Sequence, residues 1–312
     1  MTAALPPDRG HVATEQRHAG SGEFDKLATL EQIALMADDH LAVAAALAKA
    51  AGPLAAFIDA LALRMRAGGR LFYCGAGTSG RLGVLDASEC PPTFLSSPSQ
   101  VVGIIAGGDA ALRKSSERME DDFEGIAAEF AVHAVCAADT VVSIAAGGTT
   151  PYARGAVALA NRRGALTAFL TCSPGNPPEG CDHFLFLDTG PEILTGSTRL
   201  KAGSATKLAL NTITTIVFTK LGKVHGNLMV DLAATNDKLV DRGIRTLQQF
   251  DGALSRAAAA TLLGEADGRV KIALLMHRCA LDRPAAQRRL DAAGGDLRRA
   301  LEGAGKNNAT PP

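Results

Sequence analysis

The chain has 312 residues, and its 32 basic and 32 acidic side chains give a formal net charge of zero. This balance argues against nucleic acid or an anionic membrane surface as the main partner, and the 4% of aromatic residues argues against base-stacking platforms. The hydrophobic fraction of 47% is enough for a folded core, which excludes global disorder.

The cysteines and the first residues indicate the cellular compartment. No two of the six cysteines stand at C-x-x-C spacing, and no histidine lies beside them in a zinc pattern, so no metal site is predicted. Six cysteines in a chain of this length do not make a disulfide scaffold. The start of the chain lacks the basic and apolar regions of a signal peptide. These features predict a reduced, cytoplasmic protein.

The first part of the chain changes from polar to helical. Residues 1–24 are rich in polar residues, Gly and Pro, which predicts a tail that is ordered only against a partner surface. Apolar residues then recur at helical spacing at Leu30, Ile33, Ala34, Leu41, Ala44, Leu47 and Ala48. Thr29 is predicted to cap this helix, with Gln32 completing a capping box. We interpret the helices of this part as a cover for one face of a sheet.

Five short apolar segments are predicted to be strands. They cover residues 70–74, 101–106, 140–146, 165–171 and 183–188. The first four are apolar on both faces, as buried parallel strands are. Their starts are 31, 39 and 25 residues apart, which leaves room for strand-helix-strand crossovers. The pattern predicts a doubly wound, mostly parallel α/β sheet.

After Gly190 the pattern is helical. A long helix is predicted to follow residues 197–202 and to end at Gly222. Three or four short amphipathic helices are predicted between residues 252 and 304. The predicted domains are a tail at 1–24, an α/β domain at 25–250 and a small C-terminal helical domain at 251–312.

The turn after the first strand carries the clearest chemical signal. It satisfies G-x-G-x-x-G with Gly75, Gly77 and Gly80. A dinucleotide site expects an acidic residue about 20 positions further on, whereas Asp109 lies 29 residues past Gly80. The hydroxyls of Thr78 and Ser79 can donate to a phosphate beside the backbone N–H groups, so a monophosphate ester is favoured over a dinucleotide. A tight turn without a ligand is the remaining interpretation.

A second Gly-rich turn follows the third strand. It contains Gly147, Gly148, Thr149, Thr150 and Pro151. Loops at neighbouring strand ends can hold one small anion from two sides, because open α/β sheets bind ligands at the carboxyl ends of their strands.

Two groups of acidic residues are candidates for proton transfer. Glu89 stands before a Cys-Pro-Pro bend and can face the same crevice as the glycine turn. A second group follows the second strand and taken alone is typical of a solvated acidic face; it consists of Glu117, Glu120, Asp121 and Glu124. The isolated histidines His133, His183 and His225 are interpreted as structural.

Three blocks of sequence carry a family resemblance. Residues 75–94, 194–211 and 222–232 closely resemble blocks of the N-acetylmuramic acid 6-phosphate etherases. These belong to the sugar isomerase (SIS) superfamily, to which glucokinase regulatory protein is related. The resemblance extends from Thr14 and Glu15 to residues 294–298, which is nearly the whole chain.

The resemblance implies an activity and a set of site residues. The family cleaves the D-lactyl ether of N-acetylmuramic acid 6-phosphate to N-acetylglucosamine 6-phosphate and D-lactate, in cell-wall sugar recycling. The resemblance implies that Glu89 is the acid and Glu120 the base, with Asp121 as the alternative base, and that no metal or organic cofactor is needed. It also implies an SIS-like fold and a homodimer with composite active sites.

The loop after the third strand departs from the family pattern. The family usually carries Ser and Arg where this chain has Gly147 and Thr149, and His18 stands where Asn is common. The residues then predicted to bind the sugar phosphate are Thr78, Ser79, Ser197, Thr198 and Lys201, with the two glycine turns; a change of the preferred substrate is the other interpretation. A sugar-phosphate-binding regulator without turnover and a sugar-phosphate isomerase remain the alternative functions.

Overall fold

The computed structural model describes residues 8–114, 119–231 and 236–302. Contacts between residues divide the chain into two compact units. The first consists of Met1–Ser88 and Pro98–Thr214, and the second of Glu89–Ser97 and Thr215–Pro312. This division falls between residues 214 and 215, ahead of the boundary at 250 that the sequence predicts.

The first unit is built on a parallel sheet. Its strands are β1 (Leu71–Gly75), β2 (Val101–Ile105), β3 (Thr140–Ile144), β4 (Leu166–Thr171) and β5 (His183–Phe186). All four pairings are parallel, and the order is β2-β1-β3-β4-β5. The five predicted strands and the doubly wound parallel sheet are therefore confirmed. Chain order reverses between β1 and β3, which is the switch point where ligands bind in such sheets.

Helices connect and flank these strands. They are α1 (Thr29–Lys49), α2 (Ala51–Arg66), α3 (Gly77–Phe94), α4 (Ala110–Arg113), α5 (Ala127–Val132), α6 (Pro151–Arg162) and α7 (Lys201–Lys220). All residues of β1 and β3 are buried, as the uninterrupted apolar runs predict. Within the first unit, Phe72, Phe130 and Tyr152 belong to one buried cluster, which joins the sheet to α5 and α6.

The N-terminal part differs from the prediction in two ways. Residues Val12 and Thr14 are buried in the first unit, so the predicted tail packs on its own chain at these two residues. The apolar residues Leu30, Ile33 and Leu41 of α1 are exposed, and only Ala46 of this helix is buried. The covering role belongs to α2, which buries six residues and contacts β5.

The cap of α1 also differs from the prediction. The N-cap is Ala28, one residue before Thr29, and its N–H donates to the Glu31 carboxylate at 2.8 Å. The Gln32 amide reaches back to the carbonyl of Phe24 at 2.8 Å instead of completing a capping box. The N-cap N–H is therefore satisfied by the Glu31 carboxylate, whereas the Gln32 amide donates to the segment before the helix.

The second unit is helical. Besides a short antiparallel pair, β6 (Val224–His225) and β7 (Leu228–Met229), it contains α8 (Asp237–Phe250), α9 (Arg256–Glu265), α10 (Val270–Cys279), α11 (Arg283–Ala292) and α12 (Leu297–Glu302). Among the described residues four helices follow residue 252, where three or four were predicted. One apolar cluster joins α8 to them through Ile244 and Leu247, and this packing explains why α8 groups with the C-terminal helices.

Within the described residues, no single helix is long and apolar enough to cross a membrane. Among the helices of these residues, α1 and α2 reach that length and composition only when taken together, and they are bent by 57° at their junction.

Candidate active site

The glycine turn after β1 is packed too tightly for side chains. A Cβ on Gly75 would lie 2.9 Å from the Gly80 nitrogen and 3.1 Å from the Ile144 carbonyl oxygen. Gly77, the first residue of α3, has a φ of +52°, which favours glycine. The motif therefore brings the start of α3 close against β1, with Thr78 and Ser79 in its first turn. The first turn of α3 therefore presents backbone N–H groups and two hydroxyls, which are groups that can bind an anion.

The loop after β3 flanks the same switch point. Gly147, Thr149 and Thr150 follow β3, and α6 begins at Pro151. A Cβ on Gly147 would meet Val12 at 3.4 Å, Thr14 at 3.6 Å and the Thr149 hydroxyl at 3.9 Å, which are ordinary contacts. This position therefore has room for a side chain.

A cavity of about 440 Å³ lies at these two turns in the first unit. Its lining includes eight of the predicted residues: Gly77, Thr78, Ser79, Glu120, Gly147, Thr149, Thr150 and Thr198. The remaining lining residues are Arg9, Val12, Thr14, Glu15, Ala76, Arg81, Ala146 and Gly196. Its volume is in the range of small-molecule sites in proteins.

Glu120 is fixed between the two turns. Its Oε1 would lie 2.9 Å from a Cβ on Gly77, so the carboxylate occupies the space that this glycine leaves open. Its carbonyl oxygen accepts a hydrogen bond from the Tyr152 N–H of α6 at 3.0 Å. The neighbouring Asp121 is exposed and is not part of the cavity lining, and Glu117 lies outside the described residues.

Lys201 lies elsewhere in the first unit. Its side chain is buried, and its ammonium forms an ion pair with Asp39 at 2.5 Å. The backbone N–H groups of Lys201 and Ala202 donate to the buried Glu192 carboxylate at 3.0 and 2.8 Å, which caps α7. This lysine thus ties α1 to α7.

Two other predicted residues are also outside the cavity lining. Ser197 is half-buried between the lining residues Gly196 and Thr198. Gly148 lines a second cavity of about 300 Å³, which shares Val12, Gly147 and Thr149 with the first.

Glu89 lies on α3, but far along it from the glycine turn. It stands twelve residues after Gly77, which at 1.5 Å per residue is about 18 Å along the helix axis. It is exposed and is not among the residues that line the cavity. Leu85, one turn earlier on the same helix face, is also exposed, at 45%.

Asp86, three residues before Glu89, has a structural environment. Its carboxylate accepts hydrogen bonds from the Asn211 amide at 2.7 Å and the Thr214 hydroxyl at 3.3 Å. Burial raises the pKa of this carboxyl above its usual value, although the hydrogen bonds oppose the shift. Within the first unit, Asp86 therefore holds α3 against α7.

The comparison with known proteins identifies the family. The chain matches the family described as the glucokinase regulatory protein N-terminal SIS domain over residues 53–161. It is 53% identical over 295 residues to the N-acetylmuramic acid 6-phosphate etherase of Synechococcus sp. (strain CC9605), covering 94% of this chain and 93% of the relative. The etherase of Gloeobacter violaceus is 52% identical over 297 residues, covering 95% and 97%. The chain belongs to the N-acetylmuramic acid 6-phosphate etherase family.

The etherase family relationship confirms the resemblance seen in the motifs. Among solved structures, the chain is similar to a phosphoheptose isomerase from Neisseria gonorrhoeae, with a TM-score of 0.45 and 15% identity over 62% of this chain and 100% of that chain.

The N-terminal segment forms a wall of this etherase-family cavity that no glycine or acidic motif indicates. Thr14 is completely buried; its N–H donates to the Ser173 hydroxyl at 3.4 Å, and its carbonyl accepts from the Gly196 N–H at 3.0 Å. These bonds fix the backbone next to Glu15, which lines the cavity together with Arg9. The sequence feature that indicates this wall is the pair Thr14–Glu15, where the etherase resemblance begins. Because this pair lies within residues 1–24, it contradicts their interpretation as a tail.

The described part of the etherase-family chain contains no group of three or more His, Cys, Asp or Glu side chains placed to hold a metal ion. All six cysteines are free thiols. Burial raises the pKa of the Cys172 thiol to about 12, so this cysteine stays protonated at neutral pH.

Proposed function

We propose that this chain cleaves the D-lactyl ether of N-acetylmuramic acid 6-phosphate, giving N-acetylglucosamine 6-phosphate and D-lactate in cell-wall sugar recycling. The observation that carries the proposal is identity of about 50% to etherases over nearly the full chain. The cavity at the sheet's switch point suits the substrate, because it combines an anion-binding helix end with a carboxylate.

The reaction needs a base at C2 and an acid at the ether oxygen. The open-chain aldehyde acidifies the C2 proton, and after its removal the C3 oxygen leaves with lactate. Water then adds to C3 of the unsaturated aldehyde, and a proton returns to C2. Glu120 is our candidate for the C2 base, because it lines the cavity whereas Asp121 does not. A carboxylate within reach of the proton contributes about 10²- to 10⁴-fold to such a step.

The phosphate is proposed to bind at the two turns. Thr78 and Ser79 supply hydroxyls at the start of α3, and Thr149 and Thr150 supply them from the facing loop. The positive end of α3 favours the phosphate charge. Lys201 has no part in this proposal, because Asp39 already neutralises its ammonium.

Glu89 is proposed to act from a second copy of the chain. Within one chain it lies on an exposed helix face beside Leu85, and α1 exposes Leu30, Ile33 and Leu41 in the first unit. Exposed apolar side chains of this kind are typical of surfaces that a partner covers. A homodimer with composite active sites would bring Glu89 of one copy to the cavity of the other.

The activity is tested by incubating the purified protein with N-acetylmuramic acid 6-phosphate and measuring D-lactate. Stoichiometric D-lactate is expected. Folded protein that binds the sugar phosphate saturably without releasing lactate would instead support a regulator, and formation of a ketose phosphate would support an isomerase.

The composite site is tested by mixing two inactive variants, Glu89→Gln and Glu120→Gln. Half of the dimers then contain one copy of each, and one of their two sites has both acids intact. Activity is therefore expected to return to about one quarter of the wild-type level after subunit exchange. No recovery in mixtures shown to contain heterodimers would contradict shared sites.

We also infer a cytoplasmic location, supported by six free thiols.

A further inference from the structure

The proposed substrate carries two separate anionic groups. One is the phosphate on C6, for which the glycine turns provide helix N–H groups and hydroxyls. The other is the carboxylate of the lactyl ether on C3, which a product sugar no longer has. The cavity also presents the carboxylates of Glu15 and Glu120, which repel both groups. The lactyl carboxylate therefore needs a cationic partner.

Two guanidinium groups reach the lining among the described residues, and one of them, Arg81, is held by hydrogen bonds to the backbone. The Arg81 Nε donates to the Leu112 carbonyl at 3.2 Å, and its Nη2 donates to the Ala111 carbonyl at 2.8 Å. This arginine therefore ties the start of α3 to α4, and two of its five N–H groups already donate to backbone carbonyls of the protein.

Arg9 is the second guanidinium and lies on the N-terminal wall. Its backbone is held because its carbonyl accepts from the Val12 N–H at 2.9 Å, and Val12 is buried. Its side chain is exposed, and no carboxylate among the described residues lies within ion-pairing distance of it. The cavity thus contains a cation whose charge the protein itself leaves available.

We propose that Arg9 binds the carboxylate of the lactyl group and so distinguishes the substrate from the sugar-phosphate product. A guanidinium pairs with a carboxylate through two parallel N–H···O bonds, a geometry that a lysine cannot reproduce. The proposal rests on the proposed function, since that function supplies the lactyl group. It makes the N-terminal segment a specificity element of the site.

The test compares substrate and product in the same variants. Arg9→Ala is expected to raise KM for N-acetylmuramic acid 6-phosphate by about 10- to 100-fold, as expected for loss of a charge-assisted hydrogen bond. The inhibition constant of N-acetylglucosamine 6-phosphate should change by less than about twofold, because the product has no carboxylate to lose. Arg9→Lys should fall between Arg9→Ala and the wild type. Arg17→Ala is the matched control, since Arg17 is exposed and outside the cavity lining.

Two results would overturn the assignment. If Arg9→Ala weakened binding of substrate and product equally, Arg9 would be assigned to the phosphate instead. If neither the KM of the substrate nor the inhibition constant of the product changed, Arg9 would have no role in binding. Calorimetry of both sugar phosphates with Glu120→Gln and Glu120→Gln/Arg9→Ala repeats the comparison without turnover. If the wild type releases no D-lactate, the proposed function fails by itself, and the calorimetric ratio still decides whether Arg9 recognises the carboxylate.

Discussion

Charged side chains have different environments at the two ends of the parallel sheet. At the amino end, Arg70 precedes β1 and Asp139 precedes β3, and they form a two-point ion pair at 3.0 and 2.7 Å. The Asp139 side chain is 2% exposed and also accepts from the backbone N–H groups of Arg70 and Cys136. At the carboxyl end, the charged groups of Arg9, Glu15 and Glu120 line a cavity.

The difference separates stability from function. The amino-end charges satisfy each other, so removing one should weaken the fold and leave the chemistry of folded molecules unchanged. The carboxyl-end charges face the space for a ligand, so their removal should change catalysis or binding with little effect on folding. Each of the following predictions tests one side of this contrast.

The largest effect is expected at the cavity carboxylate. Glu120→Gln should lower kcat by about 10²- to 10⁴-fold, because it removes the proposed base while keeping the side-chain shape. Asp121→Asn is the matched control and should stay within about threefold of the wild type, because Asp121 is exposed outside the cavity. D-lactate release measures both, and the melting temperature checks the fold. If Asp121→Asn lowered kcat much more than Glu120→Gln, the base would be Asp121.

The next effect is on stability at the amino end. Arg70→Ala should lower the free energy of unfolding by about 2–3 kcal/mol, because the buried Asp139 carboxylate loses its charged partner. The exposed pair Lys49–Asp188 is the control, and Lys49→Ala should change stability by less than about 0.5 kcal/mol. Urea unfolding at pH 7 measures both. A changed KM in folded Arg70→Ala would contradict the claim that charges at the amino end affect stability and not function.

The same pair predicts a pH dependence. Burial alone would raise the pKa of the Asp139 carboxyl, but the hydrogen bonds from Arg70 and from the Cys136 N–H outweigh it and hold the pKa below its usual value. A lowered folded-state pKa stabilises the protein above the unfolded value of about 3.9, and this contribution is lost as pH falls through the folded pKa. Between pH 7 and pH 3 the wild type should therefore lose more stability than Asp139→Asn. If the wild type and Asp139→Asn lost the same stability between pH 7 and pH 3, Asp139 would not titrate in this way.

A smaller effect is expected at the phosphate hydroxyls. The double change Thr78→Ala/Ser79→Ala should lower kcat/KM by about 10- to 100-fold, mainly through KM, because each neutral hydrogen bond contributes about 1 kcal/mol. Unlike Arg9→Ala, it should weaken substrate and product equally. Loss confined to kcat would contradict a role in phosphate binding.

The smallest effect is expected at Gly147. Its Cβ position meets Val12 and Thr14 only at ordinary contact distances, so Gly147→Ser should fold normally. The added hydroxyl faces the cavity loop and should lower KM by about two- to fivefold through one new neutral hydrogen bond. Gly77→Ser is the contrasting variant and should lose activity, because a Cβ there collides with Glu120 at a φ of +52°.

The sheet and its turns could be predicted because they depend on local sequence. Apolar runs such as residues 140–146 give buried strands, and glycines directly after them mark ligand loops at the switch point. Glu120 could be assigned only through the family resemblance, since its own sequence is typical of a solvated acidic face.

The features that could not be predicted depend on contacts between residues that are far apart in the sequence. Lys201 was predicted to bind phosphate, and no local pattern indicates that Asp39, 162 residues away, neutralises it. The N-terminal wall was interpreted as a tail because Val12 and Thr14 are buried without any periodicity. Likewise, the apolar spacing of α1 predicts a helix but not which surface covers Leu30, Ile33 and Leu41.

Exchange of the C2 proton in D₂O tests the central claim most directly. The product N-acetylglucosamine 6-phosphate is incubated with the enzyme, and deuterium at C2 is measured by mass spectrometry and NMR. If the carboxyl-end cavity performs the chemistry through Glu120, the wild type and Asp121→Asn should incorporate one deuterium at C2, and Glu120→Gln should slow this by at least about 100-fold. Exchange at the wild-type rate in folded Glu120→Gln would contradict the account.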